Sequence, residues 1–283
     1  MLGKLFKYEF KNTYKIMLTI YAVLGAVTLF GSLLLASAAS PVSLAMNNAI
    51  LSLATAAFII MYTLAVFALF IITYVYVCTN FYKTMFSNQG YLTHTLPVST
   101  ISIFHVKLLT SLVWLIGSVA LLLLSVFLLI FGATRGELLT DLFSMNLAEL
   151  HREFTTVMGM NLPQFVNILM IFMIFGCLSS LLMIFASICI GQLFNQNKIV
   201  FSIVAWLVLN FVQQTISSIV PRLMNLPFST WSMHYDRGLN YTSTFADILC
   251  APQLIASYIL SLLFMGGFYA TCLVILRKHI NLA

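Results

Sequence analysis

Six apolar runs constrain this chain more than any other feature of its sequence. They lie at about 16–38, 49–77, 108–131, 164–193, 198–220 and 253–276. About 20 consecutive apolar residues cross the hydrocarbon core of a bilayer as a helix, and a spanning segment must satisfy its own backbone hydrogen bonds there. The expectation is an all-α polytopic membrane protein, with residues 1–283 forming a single transmembrane domain. Composition agrees: 61% of residues are hydrophobic and 7% charged, against about 25% charged in soluble domains.

The basic residues orient the runs. Lys4, Lys7, Lys11, Lys15, Lys83, Lys107, Lys198, Arg277 and Lys278 fall on the side of the two termini, with Glu9 as the only acid there. Arg135, Arg152, Arg222 and Arg237 on the other side face six acids. An excess of Lys and Arg marks the cytoplasm, so both termini and the connection at 81–107 are expected inside, and 132–163 and 221–252 outside. The net charge of +6 is scattered beside apolar runs rather than gathered in one patch, which argues against nucleic acid as a partner.

Residues 1–15 carry a helical pattern. At about 100° per residue, Lys4, Lys7, Lys11 and Lys15 share one face, while Leu2, Leu5, Phe6, Phe10, Thr13 and Met17 share the opposite one. Such a helix is expected to lie in the headgroup layer with its lysines on anionic lipid. Glu9 sits near the middle of the apolar face. A carboxylate there either takes up a proton or finds a cation. The candidates are Lys83 and Lys107; the alternative is a frayed first turn with Glu9 in water. Ala36-Ser37-Ala38 resembles a signal-peptidase site, but the apolar core before it exceeds the 7–15 residues of a signal peptide. The run is therefore read as an uncleaved anchor.

The outer segments have patterns of their own. Leu138, Leu139, Leu142, Phe143, Leu147, Leu150 and Phe154 form a stripe that predicts an interfacial helix ending before Pro163. Glu149, His151 and Glu153 on it read as a solvated face rather than a catalytic cluster. Pro221, Pro227, Pro252 and the aromatics of 221–252 suit a membrane interface and suggest short re-entrant helices. Asn240-Tyr241-Thr242 is a formal glycosylation acceptor.

Catalytic signatures are sparse. The sequence has no G-x-x-x-x-G-K-[ST] phosphate loop and no H-E-x-x-H, so neither a cofactor nor a metal is expected on the chain. Cys78, Cys177, Cys189, Cys250 and Cys272 include no C-x-x-C pair and read as packing residues. His94 and His105 have no partnering Cys or carboxylate nearby. The interiors of the runs as bounded above hold no Asp, Glu, Lys or Arg. A charge at that depth is costly and marks ion coupling, so a transporter driven by a proton or sodium gradient is disfavoured. Intramembrane polarity is confined to neutral groups, chiefly Asn210, Gln213 and Gln214. These either line a translocation path or hydrogen-bond between helices.

The segment Phe81–Lys107 is too apolar for a plain linker. Gly90 supplies a turn and Pro97 a break. Phe86, Tyr91 and Leu92 are candidates for burial in a soluble partner; their alternative is to rest on the membrane surface. Here the chain resembles the membrane subunits of ABC-2-type ATP-binding-cassette exporters. The likeness rests on Leu5-Phe6-Lys7-Tyr8-Glu9-Phe10-Lys11 before the first run. It also rests on Phe81-Tyr82-Lys83 with Gly90-Tyr91-Leu92-Thr93, Leu96-Pro97-Val98-Ser99 and Lys107, and on the six-span plan. Gln89 departs from the acid that such permeases often carry there. The resemblance implies that 81–107 is a coupling helix seated on a separate ATPase subunit, through Phe86, Gly90, Tyr91, Leu92 and Pro97, with residues 1–15 as a connecting helix beside it. It further implies two permease chains, identical or not, and a bacterial plasma-membrane location. ATP and magnesium would be held by the partner subunits. The cargo expected is an amphipathic or hydrophobic substrate: a peptide antibiotic, a drug or a lipid. The other reading is a membrane scaffold or sensor that recruits a soluble partner through 81–107 without transport.

Overall fold

A computed structural model describes residues 2–38, 49–87, 90, 99–134, 147–194, 197–224, 249 and 251–278. Within them the chain forms α1 (Leu2–Ala38), α2 (Ala49–Met85), α3 (Thr100–Ala133), α4 (Leu147–Met158), α5 (Leu162–Gly191), α6 (Lys198–Leu223) and α7 (Pro252–Lys278). Six of these, all but α4, are long and apolar enough to cross a membrane. The fold is that of an all-α polytopic membrane protein.

Several boundaries differ from those the apolar runs give, and each difference has a physical reason. Helix α1 is continuous over 37 residues, so residues 1–15 are not a separate interfacial helix. Their apolar face is covered by protein: the Phe10 ring stacks on Trp114 with centroids 4.7 Å apart, and Thr13 and Met17 are fully buried. Helix α2 does not stop at Val77. Val77, Phe81 and Met85 recur at four-residue spacing and all are buried, so the buried stripe carries the helix on to Met85. Helix α3 likewise begins at Thr100, seven residues before Lys107. Of the expected loop at 81–107, residues 81–85 and 100–107 therefore belong to the flanking helices.

Proline explains the next two shifts. Pro163 lies in the first turn of α5, where its missing N–H costs nothing. The Asn161 N–H donates to Gln164 Oε1 at 3.2 Å, closing that end. Pro221 falls inside the last turn of α6 rather than after it. Gly159, at φ 71°, adopts the left-handed conformation that ends α4 without the clash a Cβ brings. The re-entrant segment expected within 221–252, and Asn240, lie outside the described residues apart from 221–224, 249, 251 and 252.

Where the sequence reads as one transmembrane domain, the chain divides into two compact units. One comprises Met1–Asn80 with Ser102–Met145, the other Phe81–Ile101 with Asn146–Ala283.

The first unit is a three-helix bundle. Along α1 and α3 the contacts advance together: Glu9 with Lys107, Thr13 with Trp114, Tyr21 with Ser118, Ser32 against Gly132. These two helices thus run parallel. Contacts to α2 run the other way, with Asn80 at Glu9, Thr73 at Ser118 and Tyr62 at Ser125. A buried polar seam on one face of α3 makes these contacts. Lys107, Ser111, Trp114, Ser118 and Ser125 follow a spacing of three, four and seven, and all are buried.

In the second unit α5 packs against α6 and α7. Gly191 admits Ser202 so closely that a Cβ there would lie 2.8 Å from the Ser202 Cα. Beside this crossing Phe194 stacks on Phe201 at 4.1 Å. Phe172 on Tyr258 and Cys189 beside Cys272 join α5 to α7.

Candidate functional site

Two polar constellations stand out, one in each unit. The first is built around Glu9. Its carboxylate Oε1 accepts from the Lys107 ammonium at 2.8 Å and from the Asn80 side-chain amide at 3.0 Å. Lys107 is 4% exposed and Glu9 17%. A buried charge is tolerated only when paired and hydrogen-bonded, and both conditions are met here. Directly above, the Trp114 indole N–H donates to the Thr13 hydroxyl at 2.9 Å. The Tyr21 hydroxyl donates to the Trp114 carbonyl at 2.6 Å.

This site answers some expectations and corrects others. Of the two lysines considered for Glu9, Lys107 meets it and Lys83 is exposed. The helices α1 and α3 hold this buried ion pair near their ends, outside the apolar runs 16–38 and 108–131, whose interiors carry no Asp, Glu, Lys or Arg. Phe86 is 3% exposed. Its ring packs edge-on against Phe81, centroids 6.0 Å apart, and Phe81 stacks on Phe185 at 4.0 Å. It is buried among this chain's own side chains rather than exposed as a docking residue would be. Gly90 is also buried, with its N–H donating to the Ser87 carbonyl at 2.6 Å. Tyr91, Leu92, Pro97 and His94 lie outside the described residues. Asn80 went unrecognised in the sequence; its signal is an amide four residues before Thr84 in a helix whose apolar stripe continues.

The second constellation is a hollow of about 250 Å³ in the other unit. Helix α5 lines it with Phe175, Gly176, Ser179, Ser180 and Met183, α6 with Asn210, Gln213 and Gln214, and α7 with Ser261. The three amides singled out from the sequence thus share one wall. Among the described residues none of the three makes a hydrogen bond to another helix. The serines on the facing helices are the members sequence reasoning missed. The Ser180 hydroxyl donates to the Cys177 carbonyl and that of Ser261 to the Ser257 carbonyl, each at 2.9 Å. One turn beyond Gln213 and Gln214, the Ser217 hydroxyl is buried with no partner among the described residues.

Other candidates are simpler. Cys78, Cys177, Cys189 and Cys272 are free thiols, and Cys250 lies outside the described residues. His105 is exposed in α3 and His151 in α4. Among the described residues no three His, Cys, Asp or Glu side chains gather where a metal could bind.

The fold defines the class of protein as multi-pass, all-α and membrane-embedded. Compared with protein-family models, with curated proteins and with solved structures, the chain matches none.

Proposed function

We propose that the chain is the membrane-spanning permease subunit of an ATP-driven exporter of the ABC-2 type. It moves an amphipathic or hydrophobic substrate across a bacterial plasma membrane, with both termini in the cytoplasm. Two such chains, identical or not, work with a separate ATPase subunit that binds and hydrolyses ATP. The observation that carries this reading is the Glu9 node. One carboxylate joins α1 to Asn80 near the end of α2 and to Lys107 near the start of α3. Those two helices bracket the connection that, by resemblance, seats on the ATPase. A displacement of that connection moves the ends of α2 and α3, and the buried pair carries the movement to α1 instead of letting it slip.

The mechanism follows from the energetics of the pair. Separating a buried carboxylate from its ammonium strands a charge in low dielectric, at a cost of about 3–5 kcal/mol. A coupled motion that keeps the three helix ends together is therefore favoured over one that parts them. The test is co-purification with an ATPase encoded beside the chain, followed by ATP hydrolysis in vesicles. Hydrolysis stimulated by the wild-type chain and uncoupled from transport in Glu9→Gln supports the reading. A chain that moves substrate alone, or one whose partner-stimulated hydrolysis and transport ignore Glu9→Gln, overturns it.

A further inference from the structure

The hollow between α5, α6 and α7 has a chemistry of its own, independent of any ATPase. Asn210, Gln213 and Gln214 each present a donor and an acceptor, and none is engaged by another described residue. The neighbouring Ser217 hydroxyl is buried and has no partner among the described residues, while Asn210 and Gln213 are half-buried and Gln214 is exposed. In a transmembrane helix such groups leave hydrogen-bonding capacity unmet unless something else supplies it. No residue lining the hollow carries a charge: the wall is serine, amide, glycine, phenylalanine and methionine. A charged ligand group would have no counter-charge there and would pay the full cost of leaving water.

Size and surroundings narrow the occupant. A volume of about 250 Å³ equals roughly eight waters at about 30 Å³ each, room for one small head group and not for a folded peptide. On the same two helices, flanking the lining residues in sequence, Ile171, Ile174, Leu207 and Phe211 are exposed between 40% and 71%, apolar positions against which an acyl chain can lie. We propose that this hollow binds the uncharged, hydroxyl- or amide-bearing head of a single-headed amphiphile, with its tail along α5 and α6. Hydroxyls both donate and accept, as the carboxamide wall requires.

Photolabelling of the full chain in phosphatidylcholine vesicles tests the site. The probes are a diazirine-bearing monoacylglycerol and the same acyl chain carrying a phosphate or an amine head. The glycerol-headed probe should label residues around 171–183 and 207–214 about tenfold more than the charged ones, since charge is disfavoured at this depth. Excess unlabelled monoacylglycerol should compete. Asn210→Leu and Gln213→Leu should each lower labelling about fivefold, the worth of one hydrogen bond. Their unfolding temperatures should hold, because these amides make no bond within the described chain. An uncharged lipid recovered at one per chain from native membranes marks a resident bilayer lipid. Labelling seen only on adding probe marks exchangeable cargo, and either result supports the site. Equal labelling by all three heads, labelling indifferent to both substitutions, or substitutions that change the oligomeric state instead would overturn it.

Discussion

Glu9 shows how little room a single carboxylate leaves for substitution. Its Oε1 serves both Lys107 and Asn80, so Glu9→Gln removes the counter-charge of an ammonium that is 4% exposed. Removing one partner of a buried pair costs about 3–5 kcal/mol, whereas replacing both by neutral groups is often near neutral. Thermal unfolding in detergent should therefore show Glu9→Gln and Lys107→Met each strongly destabilised. The double variant should recover most of the loss. Phe81 offers a second test of the same kind. Buried to 1% and stacked on Phe185, it should cost about 3–5 kcal/mol on truncation to alanine. Tyr8→Ala, at a side chain 72% exposed, should stay within about 0.5 kcal/mol.

At the scale of the element, helix crossings turn on which glycines are occupied by a neighbour. A Cβ at Gly191 would meet Ser202, and one at Gly132 would lie 2.4 Å from the Ser32 carbonyl oxygen. Overpacking of this kind costs about 1–3 kcal/mol, so Gly191→Ala and Gly132→Ala should lower the unfolding temperature. Gly25 and Gly266 have nothing within 4 Å. Alanine there removes the helix penalty of glycine, about 1 kcal/mol, and should leave stability unchanged or raised. The existence of six spanning helices was legible in the apolar runs because hydrocarbon permits little else. Their ends were not. Runs end where polarity begins, but Glu9, Asn80 and Lys107 satisfy one another, and so polar residues continue α1, α2 and α3 beyond the runs. That mutual satisfaction is a tertiary event: Glu9 showed that a cation was needed, and only the fold selects Lys107 over Lys83. The amide wall was visible as a cluster on α6, while Ser179, Ser180 and Ser261 reach it only once α5 and α7 are packed.

At the scale of the whole molecule, the first unit fixes its own polarity. Because Asn80 lies beside Glu9 and α1 runs parallel to α3, the amino end of α1, the carboxyl end of α2 and the start of α3 share one side. With the five native cysteines replaced, Lys4→Cys and Thr79→Cys, both exposed in the first unit, should react with a membrane-impermeant thiol reagent from the same face. Labelling from opposite faces would contradict the bundle.

A helix of 37 residues is about 55 Å long at 1.5 Å per residue, nearly twice the hydrocarbon thickness of about 30 Å. Such a strut has no joint between the lysine-bearing tip and the far leaflet. A push or twist delivered at Lys4 and one read near Ala38 act on the same unbroken helix, so passing between them asks no segment of it to unwind.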